Sequence, residues 1–123
     1  MQKVSLVEKF GAFSEHWSPR TVGELNGQHV KLVKFQGDFV WHYHDHQDEL
    51  FLVVKGGFRM DYREADGLEH SMPLTAGEFV IVPKGIEHRP CAAEEVEVLL
   101  FEPAGTLNTG NIQNERTVEA KPL

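Results

Sequence analysis

The sequence predicts an all-β protein, a single small β-barrel or sandwich, with a jelly roll among the closed forms that suit it. Two observations carry this. Short β-rich segments recur with turn residues between them, and no stretch keeps a helical period beyond a turn or so. At 123 residues the chain fits one domain with one core.

The opening "KVSLVEKFGAF" suits either one helical turn or a strand, and "SPR" then breaks it. Strands are expected at 21–25, 29–36, 39–44, 49–55, 58–63, 70–74, 78–82, 88–91 and 96–102. Turn chemistry separates them: Asn26-Gly27, Gly37-Asp38, Gly56-Gly57, Ala65-Asp66-Gly67, Ala76-Gly77 and Pro83-Lys84-Gly85. Asn26-Gly27 is the strongest hairpin signal, because a type I′ turn needs positive φ at both central positions. In "GFRMDYR", Phe58, Met60 and Tyr62 alternate with Arg59, Asp61 and Arg63, which marks a strand with one wet face. The barrel core is therefore expected over about 20–102. Beyond it, "PAGTLNTGNIQNERTVEAKPL" is polar and rich in Gly and Asn. This arm, 103–123, suits a loose attachment, a strap across a barrel mouth, or a contact with a second subunit.

Composition excludes several function classes. Twelve basic residues against 19 acidic ones give a net charge of −7, which argues against binding a phosphate backbone. The longest apolar run, Leu50 to Val54, is far too short to span a bilayer, and no charged-then-apolar leader opens the chain. A cytoplasmic location is the expectation. The lone Cys91 excludes an internal disulfide and every cysteine-rich zinc site, so any metal must take nitrogen and oxygen ligands.

Such ligands are concentrated in "WHYHDHQDELFLVVKG", residues 41–56. On a strand His42 and His44 project from one face, while Trp41 and Tyr43 point the other way. After a turn at "DHQD", Glu49 heads an apolar strand, where a buried carboxylate needs a partner. His88 re-enters after the "PKG" turn. Taken alone it would be an ordinary hydrogen-bonded histidine, but with the pair and Glu49 it completes three nitrogen donors and one oxygen donor. His46 shares the parity of the pair yet sits where the turn begins, so it is expected to be solvated or to support the ligands from behind. Tyr62 is the other acid/base candidate, and no catalytic residue is assigned. Asp45 and Asp48 read as turn residues, and His16, His29 and His70 as structural. Although "HYHDH" looks like the His-x-His-x-Asp-His signature of metallo-β-lactamase-like hydrolases, it lacks one residue before Asp45.

These residues resemble the two motifs of the cupins. His42-x-His44, four residues, Glu49, six residues and Gly56 follow the first motif, and Gly77, Pro83, Gly85 and His88 follow the second. Two departures are visible: only four residues separate Gly37 from His42, and Ala92 stands where the second motif has Asn. The likeness spans about 20–102, and the motifs are similar to those of small bacterial mannose-6-phosphate-isomerase-like cupins. It implies a single-domain barrel, often a homodimer, holding one divalent metal (Fe, Mn, Ni, Co or Zn) on His42, His44, Glu49 and His88. Parity places Val40, Phe51 and Val53 in the pocket lining, with Phe58, Met60 and Phe101 as further walls. A mostly apolar pocket suits a small organic molecule. Three readings follow: a metal-dependent dioxygenase or isomerase/lyase, a binding module without turnover, and a metal that merely staples the fold.

Overall fold

The structure, a computed structural model, describes residues 1–123. It is almost wholly β. A single helical turn, α1 (Leu6–Phe10), precedes β1 (Arg20–Leu25), β2 (Gln28–Asp38), β3 (Glu49–Lys55), β4 (Gly57–Arg63), β5 (Glu69–Thr75), β6 (Phe79–Val82), β7 (Glu87–Pro103) and β8 (Lys121–Pro122). Ser5 caps α1 by accepting from the Glu8 amide, so the opening segment is helical rather than extended. No helix is long and apolar enough to cross a membrane.

The β1–β2 hairpin turns on Asn26 and Gly27, at φ 52° and 78°, which is the expected type I′ geometry. The β2 strand then pairs antiparallel with β7 along nearly its whole length, from Gln28 opposite Pro103 to Asp38 opposite Cys91. The first part of β7 also pairs with β4, and its last part with β3. Thus β7 joins β2, β3 and β4 within one eight-stranded sheet. Between Phe35 and Gly37 the β2–β7 register shifts, because β7 carries extra residues around Ala93, Glu94 and Glu95. Such a bulge bends the strand, and the bend folds the sheet back on itself.

Two expected elements differ. Segments 88–91 and 96–102 are one continuous strand, since the exposed Ala93–Glu95 stretch forms the bulge rather than a loop. Segment 39–44 is not a strand. It makes a single bridge, His42 with His88, and the ladder stops two residues away at Pro90. Proline has no N–H to donate there, so only the Phe39 amide to Pro90 carbonyl bond forms, at 3.0 Å.

Inside the barrel, Val33, Phe35, Phe51, Val53, Phe58, Met60, Val96, Val98 and Leu100 form the main core. Outside, Phe10 and Phe13 cover Leu32 as a small second core. The C-terminal arm lies across one end of the barrel. Tyr43 and Asn111 hold it by reciprocal bonds, Asn111 N to the Tyr43 carbonyl at 3.0 Å and Tyr43 N to Asn111 Oδ1 at 2.8 Å. Gly110 fits beneath, at φ 56°, where any Cβ would collide with the Tyr43 carbonyl.

Gly110→Ala is therefore expected to unseat the arm while leaving the barrel folded. Left-handed backbone costs alanine about 1–2 kcal/mol before the collision is counted. Hydrogen exchange at Thr109 to Ile112 should accelerate at least tenfold, with core β7 amides unchanged; equal protection in both proteins would contradict this.

Candidate metal centre

Two local devices aim the histidines. The ladder that fails at Pro90 leaves the Val40 carbonyl free, and His42 Nδ1–H donates to it at 2.9 Å. Likewise His88 Nδ1–H donates to the Ile86 carbonyl at 2.8 Å. Each bond assigns the ring proton to Nδ1 and leaves Nε2 as a lone-pair donor facing the interior. Asp48 accepts from the Lys84 amide at 2.8 Å, tying the turn before Glu49 to the turn before His88.

The ligand atoms of His42, His44, Glu49 and His88 all lie within 4.8 Å of one another, and all four residues are buried. The His42 and His88 ring centroids are 4.2 Å apart, and those of His42 and His44 5.1 Å. Glu49 Oε1 stands 2.8 Å from His44 Nε2 and 3.3 Å from His88 Nε2. None of these three atoms makes a hydrogen bond of acceptable geometry. At His88 the reason is chemical, because a neutral ring that donates through Nδ1 turns an acceptor toward a carboxylate oxygen, itself an acceptor. Orphaned acceptors that converge in a dry interior are costly on their own and are satisfied together by one cation. The residues fit a divalent metal with three nitrogen ligands and one oxygen ligand.

Electrostatics point the same way. Burial and the neighbouring His88 push the His42 imidazole down to about 3, so it is neutral and ready to ligate at ordinary pH. Burial alone would raise the Glu49 carboxyl, but the adjacent His44 imidazole outweighs it and holds the carboxyl below its usual range.

His42 and Glu49 form part of the wall of a small cavity of about 30 Å³, room for a couple of waters. Of the expected lining, only Phe51 faces this cavity. Val53 lies deeper in the core, and Phe58 packs on Phe35 and Phe51 behind the wall. Met60 and Tyr62 border a separate apolar hollow of about 220 Å³ with Met72 and Ile86. Tyr62 is opposite His88 in register, yet its ring stacks on His70. Two expectations are corrected. Phe101 points outward, because β7 alternates and it is Leu100 and Glu102 that face in. Val40 contributes its carbonyl rather than its side chain, and Phe39 takes the lining position because 39–44 lacks strand alternation. His46 is exposed, away from the ligands.

The cavity also holds groups that the sequence reading passed over. Lys31 and Glu102 are both buried, with Lys31 Nζ 3.7 Å from Glu102 Oε1 and donating to the Thr106 carbonyl at 3.1 Å. Burial, reinforced by the charge of Glu49, pushes the Glu102 carboxyl well above its usual range. Their signal was charge at inward positions of apolar strands, in "VKLVKF" and "LLFEP". Trp17, held at φ 59° and stacked 4.5 Å from both Phe35 and Phe39, also borders the cavity.

Replacing His42 and His44 together by Ala should abolish stoichiometric metal in tag-free protein, measured by elemental analysis; retained metal refutes the ligand set. The metal-free protein has a pH signature. His42 is protonated below about 6.5 when unfolded but only near 3 when folded. The unfolded state thus binds more protons in that window, and stability decreases as the pH is lowered, by up to about 1.4 kcal/mol per unit. Urea midpoints should drop from pH 7 to pH 5, and His42→Phe should flatten the profile; an equal slope in both proteins would count against this assignment.

A family model described as "Cupin domain" matches residues 29–102. The uncharacterized protein YdbB of Bacillus subtilis (strain 168) is 33% identical over 69 residues, which is 56% of this chain and 58% of that protein. The match thus spans a little over half of that relative's length. A cupin-2 domain containing protein from Shewanella frigidimarina superposes with a TM-score of 0.76 at 41% identity, over 81% of this chain and 93% of that one. Hydroquinone 1,2-dioxygenase PnpCD, solved in complex with Fe3+, shares the fold with a TM-score of 0.75 at 18% identity, over 85% of this chain and 33% of that one. With its motif spacing, its barrel and this family match, the chain belongs to the cupins.

Proposed function

We propose that the protein is a metal-dependent enzyme acting on a small organic molecule, as a dioxygenase or as an isomerase or lyase working through an enolate. One observation carries this: the ligand atoms of buried His42, His44, Glu49 and His88 converge, three of them orphaned, and two of the four residues open onto a cavity. Four protein ligands leave one or two positions free on a five- or six-coordinate ion, and an open position separates a reactive centre from a structural one. Bound Fe, Mn, Ni, Co or Zn would supply Lewis acidity, and the redox-active members electron transfer.

The chain's own residues do the rest. Val40 and Ile86 hold two imidazoles in register through their carbonyls. Phe39, Phe51 and Leu100 exclude water, and the C-terminal arm closes the cavity with Thr106, Asn108 and Val118. The dioxygenase branch is supported by the shared fold of hydroquinone 1,2-dioxygenase, and the isomerase branch rests on the motif residues alone. A cytoplasmic homodimer is part of this proposal. The buried free thiol of Cys91 suits a reducing compartment. A dimer is favoured by an apolar row on the outer sheet face, Ile81–Leu50–Phe101–Val30, with Phe79 beside it.

Oxygen uptake after anaerobic loading with each metal, across enolic compounds and aromatic diols, tests the first branch. Proton exchange of oxo acids in D2O tests the second. Activity should vanish in His42→Ala; absence of both activities with every loaded metal would leave the binding-module reading. For the dimer, Ile81→Glu with Phe79→Lys should convert a two-chain particle to one chain in analytical ultracentrifugation, whereas a wild-type monomer would refute it.

A further inference from the structure

Resting on the metal-centre reading, we infer that Lys31 is the substrate-anchoring residue and that the substrate is an organic acid carrying a hydroxyl or carbonyl oxygen. Its oxygen end faces the metal ligands, and its carboxylate end meets Lys31. Lys31 is 2% exposed and shares the cavity wall with His42 and Glu49. An ammonium has three donors. Only one is used in a hydrogen bond, to the Thr106 carbonyl, and Glu102 Oε1 at 3.7 Å lies beyond hydrogen-bond reach. The unused donors belong to a group that has been stripped of water, the costliest place to leave a charge unmet.

Charge counting agrees. A divalent ion and Lys31 together outweigh the carboxylates of Glu49 and Glu102, leaving at least one positive charge in a largely apolar enclosure. Such an enclosure selects an anion.

The layout of the strands separates the two ends of the ligand. Lys31 lies on β2, Glu102 on β7 and Glu49 on β3, in three neighbouring strands of one sheet. Across β7, the metal-site Glu49 therefore lies on the β3 side and the anchor Lys31 on the β2 side. The Thr106 carbonyl that now engages Lys31 comes from the C-terminal arm, so the arm positions the anchor as well as closing the cavity.

The test uses zinc-loaded full-length protein, titrated calorimetrically with 3-hydroxypropionate and with its neutral isostere 3-hydroxypropionamide. Wild type should prefer the acid by about tenfold or more, the scale of one buried charge-assisted hydrogen bond. Lys31→Met should erase most of that preference while zinc stoichiometry stays at one. Because Lys31→Met leaves Glu102 without its cation, Lys31→Met with Glu102→Gln provides a second variant that removes both charges and should behave alike. An unchanged preference in either folded variant overturns the inference, as does zinc-loaded wild type that binds neither compound or both equally. Zinc content reads the metal centre separately: failure of wild type to take up zinc sinks that reading, and a Lys31-dependent preference for the acid in the same sample would still uphold the anchor.

Discussion

The pairing of β2 with β7 is the constraint from which the rest of this molecule follows. Few strands in so small a domain run 17 residues, and β7 does so only by bending at Ala93–Glu95 and changing neighbours on the way. Before the bend it pairs with β4, and after it with β3, while β2 follows it along both halves. The bend therefore closes the fold and also spaces its chemistry. His88 stands near one end of β7 and Glu102 near the other, with Val96, Val98 and Leu100 filling the interior between.

Against this regular pairing, the metal-binding segment is deliberately irregular. A strand at 39–44 would have spent the Val40 carbonyl on the ladder. Pro90 prevents that, and the freed carbonyl orients His42 instead. The Gly85 amide meets the His44 carbonyl at 2.8 Å, so both ends of the histidine pair are moored to the turn and strand that carry His88. The result is a set of lone pairs held face to face inside an apolar barrel. Such a set is a liability without a cation, and the surrounding hydrophobic burial must outweigh it.

Much of this organisation was legible in the chain. Turn residues bounded β1 to β6 to within a residue or two because Gly and Asn mark positive φ wherever a tight reversal requires it, as at Asn26-Gly27. Motif spacing singled out His42, His44, Glu49 and His88, whose buried ligand atoms converge. Parity served less well for the pocket. It succeeded on β3, where Glu49 and Phe51 alternate inward, and failed for Val40 in a segment without alternation. Phe101 failed for another reason: hydrophobicity does not tell the inner from the outer face of a sheet when both are apolar.

What the sequence determined by itself is local: turns, strand periods and the spacing that lets imidazoles and a carboxylate share one ion. Those depend on backbone conformation and on the order of donors along the chain, and both are written residue by residue. Tertiary structure alone decided that Lys31 and Glu102 lie buried beside the same cavity, since a charged residue in an apolar strand looks solvated until another strand covers it. It also decided the role of the arm. Its polar composition suits water as well as protein, and only the fit of Gly110 and Asn111 against Tyr43 makes it a wall of the cavity.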